Sequence, residues 1–153
     1  KFLSDLKDLL TEWNDVPYYD GGLADPIPIQ KAIADGYDKH VIILTREQGY
    51  RKVLDGQTKW AMKLFRKKYP QMVRAMEKRA DNYNQTMELI EKLEREGKAF
   101  VYRPPYALKS FEKNTDVMWE SHKKGLEHFY DRESELLDFL GDCYVGKQIK
   151  LSQ

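Results

Sequence analysis

The chain is 153 residues long and 33% charged, with 26 Lys and Arg against 25 Asp and Glu for a net charge of +1. That balance excludes a global electrostatic footprint for nucleic acid, and a hydrophobic fraction of 41% with 10 Tyr, 6 Phe and 3 Trp excludes a disordered chain. The one cysteine, Cys143, excludes an internal disulfide, and no apolar run reaches the roughly 20 residues of a membrane-spanning helix.

In chain order, Leu3, Leu6, Leu9, Leu10 and Trp13 recur at helical spacing and predict a short amphipathic helix over 3–13, ended by Asn14-Asp15. Val16-Pro17-Tyr18-Tyr19 reads as extended. Asp20-Gly21-Gly22 then reads as a tight turn, because two glycines permit positive φ. A helix follows, with Asp25 as its N-cap, Pro26 at its first position and Gly36 as its stop. His40-Val41-Ile42-Ile43-Leu44-Thr45 is the pattern of a strand buried on both faces. Extended segment, helix and buried strand together predict an α/β fold with a parallel sheet covered by helices.

Residues 46–57 are polar, with Gly49 and Gly56, and read as a loop or hinge. Residues 58–95 are helical in pattern, interrupted by Pro70. Met72, Met76, Ala80, Tyr83, Met87 and Ile90 form one stripe that Gly97 closes. Ala99-Phe100-Val101-Tyr102 is a short strand before Pro104-Pro105, and Thr115 suits the cap of a final helix running to Leu140.

Asp20 carries the chemistry. It follows an extended segment on a glycine turn, which presents it at the carboxyl edge of a sheet, where open α/β folds place their sites. On Asp20-Gly21 alone a structural turn is the better reading. The longer string is more specific. Asp-Gly-Gly, two residues, then Asp-Pro-x-Pro and a Val-Ile-Ile-Leu strand resembles the second motif of patatin-like phospholipases. The resemblance covers about residues 16 to 145, with the first 15 unmatched, and the charged helices look like the C-terminal region of bacterial members.

That resemblance implies a C-terminal part of a patatin-like catalytic domain over 1–57, then a helical accessory region over 58–153. It implies a serine lipid acyl hydrolase whose Ser–Asp dyad uses Asp20 as base, with Gly21 and Gly22 shaping its turn, a lipid or acyl-ester substrate, and no metal or organic cofactor. In such a dyad the carboxylate takes the serine proton as Oγ attacks an ester carbonyl. Burial is expected to raise the Asp20 pKa and bonds from the glycine N–H groups to lower it.

The nucleophile belongs in Gly-x-Ser-x-Gly, and none of Ser4, Ser110, Ser121, Ser134 and Ser152 has glycine at both flanking positions. The chain by itself is therefore expected to be inactive. It is read either as a piece of a longer hydrolase, completed by a missing N-terminal part of the catalytic domain, or as a dead relative. A start at Lys1-Phe2 without an initiator Met favours the piece.

Several residues have a blander reading beside a functional one. Trp60 with Lys63, Arg66 and Lys67 suits an interfacial helix at anionic lipid, though a core-facing helix with a solvated basic side is the commoner arrangement. A non-catalytic interaction or membrane-docking module is thus the rival function. Met62, Met72, Met76 and Met87 suit an acyl groove or, more commonly, plain core. His40, His122 and His128 stand at no ligand spacing and read as surface or boundary residues. Asn84-Gln85-Thr86 reads as an accidental glycosylation signal, and Gly125 as a point of close helix packing. The lack of an apolar leader fits the cytoplasm, with peripheral membrane contact.

Overall fold

The computed structural model describes residues 11–109 and 112–141, and the fold is mixed α/β. Two strands form a hairpin, β1 (Thr11–Trp13) and β2 (Val16–Tyr18). The chain continues through a 3-10 turn (Gly21–Leu23), α1 (Ile29–Ala34), β3 (His40–Ile43), α2 (Gly56–Phe65) and α3 (Pro70–Arg95). It ends in β4 (Ala99–Tyr102), α4 (Thr115–Asp131) and α5 (Glu133–Leu140). Packing divides it into two compact units, Lys1–Tyr37 with Arg51–Glu91, and Asp38–Tyr50 with Lys92–Gln153. These units follow packing, whereas a division at residue 57 follows the family resemblance. Among the described residues no helix is long and apolar enough to cross a membrane.

The helix expected over 3–13 is replaced, where it is described, by the first strand of the hairpin; Leu3, Leu6, Leu9 and Leu10 lie outside the described residues. Asn14 and Asp15 take φ of 50° and 59°. Left-handed backbone at both positions makes the two-residue turn whose twist suits antiparallel strands, and Asn and Asp tolerate it better than other side chains. Pairing Thr11↔Tyr18 and Trp13↔Val16 makes β2 a hairpin strand. It therefore does not join the parallel sheet that the sequence pattern suggested.

α1 begins at Ile29, not at Pro26. Pro28 disfavours helical backbone at Ile27, and Asp25 makes no cap. The helix end follows expectation. Gly36 has φ of 89°, its N–H reaches the Ile33 carbonyl at 3.0 Å, and the Tyr37 N–H reaches Ala32 at 3.2 Å. That is a Schellman stop, which a glycine at this position favours. Gly97 ends α3 in the same way, with Lys98 N–H on the Leu93 carbonyl at 2.8 Å.

In the first unit, α2 starts at Asp55, whose carboxylate accepts the Thr58 N–H at 2.7 Å. Pro70 opens α3 as the sequence implies. Leu23, Ala61 and Met76 form a buried cluster with Tyr19, Met62, Phe65, Met72 and Ala75 packed on it. The α3 stripe is buried at Met76, Tyr83, Met87 and Ile90, joined by Val73 and Thr86, so the four methionines belong to the core or its edge. Asn84 is no spare sequon residue. It accepts the Lys52 N–H at 2.8 Å and donates to the Lys52 carbonyl at 3.0 Å, pinning the loop ahead of α2 to α3.

In the second unit β3 and β4 pair in parallel, His40↔Ala99 through Ile43↔Tyr102, joined by a crossover containing α2 and α3. All four β4 residues are buried. β3 is not buried on both faces: His40, Ile42 and Leu44 point inward, while Val41 is exposed and Ile43 is 78% exposed. His40 is thus an inward strand residue and not a surface one. The last helix is two helices. At Arg132 the backbone leaves helical geometry, with φ of −117° and ψ of 9°. Its guanidinium donates to the Val101 carbonyl at 2.9 Å and lies 4.6 Å from the Phe100 ring centre, which ties the break to β4.

Candidate functional site

The turn predicted at Asp20 forms, but by a different device. Tyr19 packs on the first unit's core cluster and Leu23 is buried within it, so the three residues between them stand at the surface. Oδ1 of Asp20 accepts the Gly22 N–H at 2.9 Å, and the Asp20 carbonyl accepts the Leu23 N–H at 3.0 Å. Asp20 thereby caps a single 3-10 turn. Neither Gly21 nor Gly22 has positive φ. A Cβ on Gly22 would be in ordinary contact with the Asp20 carboxylate, 3.4 Å from Oδ1, and one on Gly21 would meet nothing within 4 Å.

The expected burial of Asp20 is not found. The residue is exposed, and its Oδ2 has no hydrogen-bond partner among the described residues. It follows a hairpin strand and not a strand of the parallel sheet, so presentation at a parallel-sheet edge is corrected as well. What remains is a carboxylate with one oxygen fixed by a backbone donor and the other turned to solvent. Such a group can accept a proton from a hydroxyl brought to it.

Among the described residues no serine accompanies it. Ser121 lies on α4 in the other unit and donates to the Val117 carbonyl at 2.8 Å. Ser134 is exposed on α5, and Ser4, Ser110 and Ser152 lie outside the described residues, as does Cys143. Among the described residues no group of three His, Cys, Asp or Glu side chains is placed to hold a metal ion. His128 meets the Tyr102 ring edge-on at 5.8 Å, and His122 meets Trp119 at 5.7 Å, so both are occupied by aromatic packing.

On α2, Ala61 is buried and Met62 and Phe65 face the core, as the common arrangement requires. Trp60 and Leu64 do not. Both are exposed, one turn apart, beside exposed Lys63, Arg66 and Lys67. Arg66 is engaged by Glu77 at 3.2 Å.

The second unit holds a feature that sequence reasoning missed. A cavity of about 440 Å³ opens among β3, the loop after β4, α4 and α5. Its walls include Val41, Ile43, Leu44, Leu108, Phe129 and Leu136, together with Gly125. Gly125 was expected to mark close helix packing, yet a Cβ there would meet nothing within 4 Å. It borders the cavity with no close neighbour instead. Tyr102, 8% exposed, also lines the cavity, and burial pushes its phenol pKa up. The signal in the sequence was a glycine inside a strong helical pattern, which costs helix stability unless something compensates.

Residues 69–141 match a family model described as a domain of unknown function, DUF6363. The matched stretch runs from Tyr69 through α3, β4, α4 and α5 to Gly141, and so contains most of the cavity wall but not Asp20. No curated protein and no solved structure matches the chain.

Proposed function

We propose that this chain supplies the carboxylate half of a patatin-like lipid acyl hydrolase, with Asp20 as the base of a Ser–Asp dyad. The observation that carries the reading is the Asp20 turn: a carboxylate held by the Gly22 N–H through one oxygen, solvent-facing through the other, within the string Asp-Gly-Gly-Leu-Ala-Asp-Pro-Ile-Pro. The dyad would act in the cytoplasm on acyl esters of lipids. With no Gly-x-Ser-x-Gly among its 153 residues, the chain has no nucleophile of its own, and the serine must come from polypeptide outside it. On this reading the chain alone gives no burst and no turnover with a short-chain p-nitrophenyl ester. In a polypeptide joining this sequence to a Gly-x-Ser-x-Gly elbow, Asp20→Asn lowers kcat by about two to four orders of magnitude, the usual contribution of a general base. Near-wild-type turnover in Asp20→Asn sinks the assignment.

A second reading is favoured by α2. Trp60 and Leu64 are exposed apolar side chains next to Lys63 and Lys67, the arrangement of a helix that rests on an anionic membrane surface. In this reading the chain is a docking module, and the two functions are compatible. Flotation of the 153-residue chain with anionic vesicles tests it. Binding that fades with added salt and is lost in Trp60→Ala supports docking; equal recovery with neutral vesicles, or none with either, removes it.

A further inference from the structure

We propose that the second unit's cavity is a binding site for a single aliphatic chain ending in an anionic head, with Lys124 at the head and Gly125 keeping room for the chain. The site is built from second-unit residues alone, whereas Asp20 belongs to the first, so the proposal does not depend on the dyad. A volume of about 440 Å³ falls in the roughly 300–1,000 Å³ range of small-molecule sites. The walls are largely apolar, aliphatic and aromatic side chains together, and Ile43 and Val41 project into solvent on the outer face of β3. Covering that area with a hydrocarbon chain removes it from water, which is the main driving force available here.

The charged side chains that line the cavity are basic, each with a carboxylate partner outside the lining. Arg103 and Lys124 line it, and among the described residues no carboxylate does. Arg103 has both terminal nitrogens on Glu94, at 2.8 and 2.7 Å. Lys124 is freer: its ammonium has three donors, of which one meets Glu120 at 2.7 Å in an exposed pair, and it lies 5.1 Å from the centre of the Tyr106 ring. A head placed there stays close to water and avoids the desolvation cost of a buried carboxylate. The Tyr102 hydroxyl, buried in the same unit and without a hydrogen-bond partner among the described residues, is a further unspent donor beside the site.

Gly125 is the most telling residue. A helix-interior glycine sacrifices stability, and here no neighbour requires it, since an added side chain meets open space. Gly125 lines the cavity, so a side chain here borders that space. A flat apolar partner, such as a helix of a second copy, would need no depth at this point, whereas an inserted chain does.

The test uses the full chain, with laurate and dodecanol as probes that share a chain and differ in the head, followed by titration calorimetry. Wild type is expected to take up one laurate per chain, at least tenfold more tightly than dodecanol, and Lys124→Gln to abolish that preference. Gly125→Leu should fill the cavity and weaken laurate at least tenfold with an unchanged or raised Tm. Should that variant fold poorly, Ile43→Glu, at an exposed strand position that the hydrocarbon covers, should weaken laurate and dodecanol alike by a similar factor. Absence of saturable laurate binding in wild type, or undiminished binding in the folded cavity variants, overturns the proposal. Concentration-dependent dimerisation without laurate binding overturns it in favour of a second copy as the occupant.

Discussion

The two units spend their apolar residues differently. The first closes a core: α3 buries Val73, Met76, Tyr83, Met87 and Ile90, and α2 adds Ala61. The second covers β4 but leaves α4 and α5 without one buried residue, and Trp119 is 65% exposed. Both sets of helices are amphipathic in sequence, so periodicity alone does not decide whether an apolar face is covered. In the first unit that face is folding material. In the second, part of it stays exposed among the described residues.

The largest effect expected of this contrast comes from truncating matched apolar residues. Ile90→Ala, at a fully buried site, should cost about 2–5 kcal/mol, whereas Leu126→Ala on α4, half exposed, should stay within about 0.5 kcal/mol. Urea melts of both variants measure the difference. Equal losses would mean that α4 is as enclosed as α3, and the contrast would collapse.

Next is the polar anchoring of β4. Arg103 is only 12% exposed and holds Glu94 through two short hydrogen bonds. Removing it with Arg103→Ala strands a carboxylate that is itself about one-third exposed, so the cost is discounted to about 2 kcal/mol. A loss below about 0.5 kcal/mol would place this pair with ordinary surface bridges and weaken the view that the second unit relies on polar ties where its core is thin.

Gly125→Ala should act in the opposite direction. With open space at the Cβ position and no positive φ, alanine should stabilise α4 by about 0.5–1 kcal/mol. In a chain of this size that raises Tm by roughly 1–4 °C. A fall in Tm would show that the site is packed after all.

How much of this was legible in the sequence depends on what each signal encodes. The α3 stripe could be read because a period of 3.6 over several turns has no competing explanation. Gly36 and Gly97 could be read because left-handed helix ends favour glycine. The hairpin could not, because Trp13 falls at helical spacing from the leucines ahead of it and Asn14-Asp15 is a weaker turn signal than Asn-Gly. The one-sided burial of β3 was hidden for a related reason. Val41 and Ile43 are as apolar as Ile42, and composition does not reveal which face the rest of the chain covers. Asp20 was legible as a turn residue, but its exposure depends on where Tyr19 and Leu23 anchor the flanks, which is tertiary information. The cavity is likewise a property of packing, and Gly125 was only its trace.

The smallest effect concerns how the helices of the two units begin. α2 of the first unit is capped by Asp55, and α4 of the second by Asn114, whose side chain accepts the Asp116 N–H at 2.9 Å. The Thr58 N–H bonded to the Asp55 carboxylate holds its pKa below the ordinary value of 3.8. A folded-state pKa lower than the unfolded one gives stability that is present above the unfolded value and lost as pH falls through the folded one. The Asp55 contribution should therefore disappear only in acid, below about pH 3.8. Asp55→Asn keeps a cap of similar quality and removes the titration, so stability near neutrality should change by about 0.5 kcal/mol or less while the acid limb flattens. α4 is not acid-proof in turn. Glu112 accepts the Asn114 and Lys113 N–H groups, which hold its carboxyl below the usual range, so its acid sensitivity lies one step outside the cap. Hydrogen exchange at the Thr58 and Asp116 amides between pH 3 and 5 separates the two. Protection at Thr58 should fall with acid in the wild type and hold in Asp55→Asn, whereas Asp116 should respond identically in both. If Thr58 loses protection equally in the variant, the acid weakness of the first unit lies elsewhere than in its cap.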